Sequence, residues 1–202
     1  MVKSIYIVKN LILLSFIASS NSLAQSDILK KENETCIASA CFTNTSSISS
    51  SLLTLRGTGL FEYFMFDVYS GAFYSERSIE TIADALSPKE KVLVIEYFRP
   101  ISKEDLIESS EMLLRNNPDV KLEHIRPELN ALYSMYTDVK KGDQYSIHYQ
   151  VGKGTTLLLN DVAVGTIAGE EFQKAFFGIW LSEHSVSEAF TSSLLGLNQE
   201  KS

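Results

Sequence analysis

The sequence predicts an α+β domain built on a largely antiparallel sheet, and three observations carry that expectation. Aromatic and β-branched runs dominate residues 52–74 and 92–98, with period-two alternation over 61–74. A second group of such runs, 144–167, is divided only by short turn signals. Stretches with apolar residues three and four apart lie between and after these groups. Strands, then helices, then a strand meander, then helices is not the βαβ alternation of a parallel sheet.

Leu52 to Thr58 reads as a strand. Phe61 to Tyr74 reads as one long strand or two short ones, ending at Ser75-Glu76-Arg77. Ser78 is placed to cap a short helix that buries Ile79, Ile82, Ala83 and Leu86, and Ser87-Pro88 stops it. Val92 to Phe98 is a strand. Ser102 with Asp105 caps a helix running to about Arg115, and Asn116-Asn117-Pro118-Asp119 breaks it. Leu122, Ile125, Leu129, Leu132, Tyr136 and Val139 lie on one helical face, in one piece or in two divided by Pro127. Strands at 144–151, 155–160 and 162–167 are joined by Gly152-Lys153-Gly154 and Asn160-Asp161. Glu170-Glu171 open a helix that buries Phe172, Phe176, Ile179 and Trp180. Ser185-Val186-Ser187-Glu188 reads as a capping box for a last helix, which Gly196 ends.

The N-terminus bears on compartment. Lys3 and Lys9 precede the apolar run Leu11–Ala18, and Ser22-Leu23-Ala24 is a small-x-small site. Residues 1–24 therefore read as a signal peptide, too short to span a bilayer, which needs about 20 apolar residues. An uncleaved anchor is the alternative. No later run is long and apolar enough to span. Residues 25–50 are polar, serine-rich and aperiodic, and read as an irregular arm. It holds the only cysteines, Cys36 and Cys41, for which an exported chain predicts a local disulfide. Free thiols or a weak metal clip are the alternatives, the clip disfavoured by the lack of a nearby histidine. Asn33-Glu34-Thr35 and Asn44-Thr45-Ser46 match a glycan acceptor pattern that matters only in a eukaryotic host. The domain proper is expected at 51–197, with a tail at 198–202.

The formal net charge is −7, and removal of the leader with its two lysines makes it −9. An acidic body without a basic stripe argues against nucleic acid and anionic lipid as main partners. His124, His148 and His184 have no metal-ligand spacing, and no phosphate loop or Gly-x-Ser-x-Gly elbow is present. No metal or other cofactor is expected. Glu104-Asp105 and Glu170-Glu171 sit at expected helix starts, where they favour the helix dipole.

Several segments in order resemble the chalcone isomerase-like family, roughly over residues 50–197. They are Leu55-Arg56-Gly57-Thr58-Gly59-Leu60 with Phe66-Asp67-Val68-Tyr69-Ser70-Gly71-Ala72-Phe73-Tyr74, then Gly142-Asp143-Gln144-Tyr145 with Gly152-Lys153-Gly154-Thr155. Asn160 with Gly165-Thr166-Ile167-Ala168-Gly169, then Phe176-Phe177-Gly178-Ile179-Trp180-Leu181 with Leu194-Leu195-Gly196, complete the set. The chain is similar in particular to the family's exported bacterial branch, so a periplasmic or secreted location is expected. The resemblance implies an open-faced β-sandwich: a long antiparallel sheet carrying a layer of helices, with a ligand cleft between them.

The chemistry does not carry over with the fold. Closing a phenolate onto an enone needs a cation and hydrogen-bond donors at the developing enolate. The family's arginine falls at Phe61, or nearby at Leu60 or Glu62, none of them cationic. Its threonine falls near Tyr69 or Ser70, where a hydroxyl survives. Its tyrosine and asparagine fall near Ile101 and Glu108, and its last polar contact near Ser185, which serves more simply as a helix cap. No catalytic residue is therefore assigned.

Non-catalytic relatives imply fatty-acid binding through an arginine and a tyrosine. Phe64, Phe66, Tyr69, Tyr97 and Tyr133 supply aromatic surface, and Arg56, Arg77 and Arg99 flank the strands. Tyr69 and Arg99 form the candidate anion anchor, with Phe66 and Tyr97 as candidate ligand contacts. The plainer alternative makes Arg99 a solvated strand-end charge and Tyr69 a core residue. The expectation is thus a non-catalytic envelope protein binding an apolar or amphipathic small molecule. An isomerase with a rearranged site and an interaction protein with a filled sheet–helix interface are the rivals.

Overall fold

A computed structural model describes residues 33–197. The expected signal peptide at 1–24, the start of the arm and the tail at 198–202 lie outside the described residues. From Thr35 onward the chain forms one unit.

Its centre is a seven-stranded antiparallel sheet in sequence order. The strands are β3 (Thr45–Ile48), β4 (Ser51–Tyr63), β5 (Phe66–Ser75), β6 (Lys91–Tyr97), β7 (Gln144–Gln150), β8 (Gly154–Leu159) and β9 (Val162–Ile167). β1 (Glu34–Ile37) and β2 (Ala40–Thr43) form a separate two-stranded ribbon. The helices are α1 (Ile82–Leu86), α2 (Lys103–Asn116), α3 (Arg126–Met135), α4 (Glu170–Leu181) and α5 (Glu188–Leu195).

Strand alternation divides the buried side chains between the two faces of the sheet. Phe73, Leu93, Ile95, Tyr145, Ile147 and Leu157 join the buried residues of α2–α5 in the main core. Ala72, Tyr74 and Val92, their sequence neighbours, pack with Leu53, Ile48, Phe42 and Ala40 in a second cluster. Residues 34–48 are thus not the irregular arm expected from their polarity. Cys36 and Cys41 form a disulfide across the β1–β2 ribbon, and Ala40, Phe42 and Ile48 cover the far face of the sheet. Such short strands offer too few apolar positions for their alternation to stand out.

The helices obey ordinary terminal chemistry, with two corrections. Thr81, not Ser78, caps α1, in a reciprocal box with Asp84. Ser187, not Ser185, caps α5, its hydroxyl accepting from the Phe190 N–H. Ser185 instead pairs its hydroxyl with Thr191 at 2.6 Å. Ser102 caps α2 through the Asp105 N–H as expected, and Gly196 ends α5 in the left-handed region at φ 69°. The stretch 122–139 is interrupted: Leu122–His124 is a 3₁₀ turn, and Pro127 stands in the first turn of α3.

The Gly57-x-Gly59 pair is explained by α5. A Cβ at Gly57 would run into the Ser193 carbonyl oxygen, and one at Gly59 would lie 2.7 Å from the Phe190 ring. Bare backbone on β4 lets α5 lie directly on the sheet, which lowers Phe190 toward β5.

Candidate functional site: an apolar cavity between sheet and helices

A cavity of ≈ 160 Å³ lies between the sheet and the helical layer. Phe61 on β4, Val68 and Tyr69 on β5, Ile95 and Tyr97 on β6, and Tyr145 and Ile147 on β7 form its sheet side. Ser109, Ser110 and Leu113 of α2, and Phe176, Ile179 and Trp180 of α4, contribute the helical side. Tyr136, just past α3, joins them. Phe61, Val68, Ile101, Leu106, Ser109, Leu113 and Val186 keep solvent exposure and mark its open side. Among the described residues no lysine, arginine, histidine, aspartate or glutamate lines it.

The polar atoms of this wall belong mostly to four tyrosines, three on the neighbouring strands β5, β6 and β7 and Tyr136 just past α3. Tyr69 pairs with Tyr97 across β5 and β6, with ring centroids 5.9 Å apart. Tyr97 meets Tyr145 at 6.3 Å, and Tyr145 meets Tyr136 at 5.8 Å. Burial pushes the phenols of Tyr69, Tyr97 and Tyr136 well above their ordinary value. They stay protonated at any physiological pH and act as O–H donors.

Most of these hydroxyls are already engaged. The Tyr145 hydroxyl accepts from the Thr137 N–H at 3.1 Å, and Tyr136 faces the Ser110 hydroxyl at 3.4 Å. Ser110 donates to the Leu106 carbonyl at 2.7 Å, and Ser109 donates to the Asp105 carbonyl. Tyr69 hydrogen-bonds with the Trp180 side chain. Among the described residues the Tyr97 hydroxyl has no such partner. It is the group left to meet a polar atom of a ligand.

The Phe61 part of the cavity wall is hydrocarbon. Phe61 stacks on Tyr69 with centroids 4.9 Å apart and meets Phe190 edge-on at 6.3 Å. Ile101 is a cavity wall, whereas Glu108 is exposed on α2 and Glu62 is exposed on β4. A developing enolate here would find phenols but no countercharge.

Of the four ligand contacts expected from sequence, Tyr69 and Tyr97 line the cavity, while Arg99 and Phe66 do not. β6 ends at Tyr97, and Arg99 lies two residues beyond in an exposed segment. Phe66 is exposed at the start of β5. The paired Tyr69 and Arg99 anchor is therefore not assembled. Arg56 donates to the Ser75 hydroxyl and carbonyl at 2.9 and 2.6 Å, and Arg77 also lies outside the cavity wall.

Sequence reasoning missed Tyr136, Tyr145 and the two α2 serines. The helical spacing that placed Tyr136 on the apolar face of 122–139 was the available signal, as was the inward period-two position of Tyr145 with Ile147.

Apolar space between a curled antiparallel sheet and a helical layer, lined by hydroxyls and by no ionised group among the described residues, is an open-faced sandwich with an internal cavity. The chain belongs to the chalcone isomerase-like family, whose model matches residues 34–196. Among solved structures it is similar to the crystal structure of a fatty-acid binding protein from Arabidopsis thaliana, with a TM-score of 0.61 at 11% sequence identity. That likeness covers 80% of this chain and 95% of the other, and at such identity it shows the fold alone. No curated protein matches the chain in sequence.

Proposed function

We propose that this chain is a non-catalytic binding protein for an apolar or amphipathic small molecule, exported to the cell envelope as a member of the family's bacterial branch. The observation that carries the binding reading is the uncharged, tyrosine-studded cavity. An interaction protein with a filled interface would lack this space.

The cavity's size limits the guest. An engineered apolar cavity of about 150 Å³ holds one benzene, so ≈ 160 Å³ suits one ring or a short acyl segment. A longer chain would leave through the open side between Phe61, Val68 and α2. Fatty-acid binding by the Arabidopsis neighbour supports an acyl guest. Without a cation in the wall, a carboxylate belongs at the mouth, and only a neutral polar group suits the interior beside Tyr97. The same lack of a cation, with Phe61 filling the place, supports the non-enzymatic reading over a rearranged isomerase.

Export is supported by Lys3, Lys9, the apolar run 11–18 and Ser22-Leu23-Ala24, and by the Cys36–Cys41 disulfide, a bond that oxidising compartments favour. The test of binding is extraction of freshly purified protein followed by mass spectrometry. A co-purifying apolar species near one per chain is expected. Repeated ligand-free preparations that also bind no fluorescent fatty acid would overturn the reading. For export, the mature N-terminus should fall after Ala24 in an envelope fraction, and an intact Met1 in the cytoplasm would contradict it.

A further inference from the structure

The hairpin joining β4 and β5 ends in four consecutive large apolar residues, Tyr63, Phe64, Met65 and Phe66. Their exposures are 60%, 76%, 95% and 64%. Tyr63 pairs with Phe66 as the last rung, and Phe64 and Met65 form the two-residue loop. Both loop residues have positive φ, 47° and 65°. The β8–β9 loop, Asn160-Asp161, has nearly the same geometry at 50° and 65°. That second loop uses the residues this turn favours. The first places a bulky aromatic and a methionine where side chains are disfavoured and water wets them. Strain of this kind persists where something other than fold stability maintains it.

We propose that this tip is a membrane-docking finger that inserts into the outer layer of a zwitterionic phospholipid bilayer. Successive strand residues point to opposite faces, so the tip is apolar on all sides. A protein partner would cover one face, whereas a lipid phase surrounds an inserted tip. Three of the four residues are aromatic, including a tyrosine, the type that settles at headgroup depth. Glu62 and Asp67, paired one rung below, form an exposed acidic collar. Together with the net charge of −7, that collar selects neutral over anionic headgroups.

The depth also matches. Strand rise is about 3.3 Å per residue, which puts Phe64 roughly 10 Å beyond Phe61, within the 5–10 Å that interfacial elements reach. Phe61 and Val68, next to the collar, are partly exposed walls of the cavity. An inserted tip therefore holds the open side of the cavity at the membrane surface, where an apolar guest can pass without crossing water. Docking itself stands independently of whether the cavity holds a guest.

The test uses purified full-length chain with phosphatidylcholine vesicles, read by sedimentation. The double variant F64N/M65G installs the loop residues the turn favours, so it should fold at least as stably as the parent. It should nonetheless partition at least about tenfold more weakly, since each buried Phe or Met side chain is worth about a factor of ten. Because both chains share the apolar run at 11–18, a second readout addresses the tip alone. F64W emission, corrected for the parent's Trp180, should be quenched by acyl-brominated phosphatidylcholine and less so when phosphatidylglycerol is mixed in. F64W emission indifferent to brominated lipid would overturn the proposal, as would equal partitioning of parent and double variant once segment 1–24 has been removed from both. Concentration-dependent dimerisation that the double variant abolishes, without vesicle binding, would assign the tip to a second copy of the chain instead.

Discussion

The Phe61 ring lies on the Tyr69 ring at a centroid distance of 4.9 Å, on the wall of the cavity between sheet and helices. The pair is set by register, since Phe61 and Tyr69 are direct partners across β4 and β5. Stacked rings contribute about 0.5–1.5 kcal/mol beyond burial. Phe61→Ala should therefore lower stability by about 2 kcal/mol and widen the cavity toward the open side. Denaturant unfolding would show the loss, and a bulkier fluorescent apolar probe should bind more tightly to the variant. Neither parent nor variant should cyclise a chalcone faster than buffer.

Tyr97→Phe separates binding from folding. Its hydroxyl has no hydrogen-bond partner among the described residues, so its removal should leave the unfolding midpoint unchanged or slightly raised. Affinity for a ligand with a neutral polar group should fall roughly five- to tenfold, the effect of one hydrogen bond. A purely apolar ligand should bind both proteins alike. Calorimetric titration with a matched alcohol and alkane would check this.

Gly57→Ala should be among the most damaging single methyl additions in the chain. The obstacle is the backbone of α5, at the Ser193 carbonyl, which cannot rotate away as a side chain could. A loss of about 2–3 kcal/mol is expected, or roughly 5–10 °C in Tm by scanning calorimetry. Gly152→Ala, with nothing within 4 Å of the new Cβ but a φ of 76°, isolates conformational strain from collision and should cost less.

The sheet and its helices are largely legible in the sequence because their signals are local. Asn160-Asp161 announces a hairpin, Ser102 and Asp105 announce a helix start, and Val92 to Phe98 is β-branched and aromatic almost throughout. The β4–β5 hairpin is illegible for the complementary reason, since Phe64-Met65 carries none of the residues a two-residue loop favours. The N-terminal strands are hidden because their burial depends on the far face of a sheet that forms later in the chain. At the site, Tyr69 and Tyr97 are accessible to sequence reasoning because alternation points both inward. Arg99 misleads because proximity along a strand says nothing of which side a residue takes once the strand has ended.

Lys91 sets a pH dependence. Its buried Nζ donates to the Ala85 and Ser87 carbonyls at 2.6 and 2.5 Å, bonds that a neutral amine with two N–H groups can supply. Burial lowers its pKa from 10.5 to about 7. Between those values the unfolded chain binds the proton and the folded chain does not. Stability should consequently rise as pH rises from about 7 toward 10.5. Lys91→Met should flatten that rise, as read from urea midpoints across the range.

At the acid end Glu111 acts in the same sense, because its folded-state pKa is also depressed. Arg126 grips its carboxylate at 2.9 and 3.0 Å, and Tyr133 donates to it at 2.8 Å. Its pKa falls from 4.5 to about 2, chiefly through Arg126. The stabilisation is fully present above pH 4.5 and is lost as pH falls toward 2. Glu111→Gln should remove that part of the acid sensitivity while changing stability at pH 7 by no more than about 1 kcal/mol, since the cluster is partly solvated.

The central claim is that the space beside Trp180 receives an apolar guest, and Trp180 is the chain's single tryptophan. Its emission during titration with a medium-chain alcohol is the most direct test. A saturable change at one equivalent per chain, weakened by the cavity-filling change Leu113→Phe, is the result expected. Emission that stays constant to millimolar ligand in a fully folded sample would contradict the account.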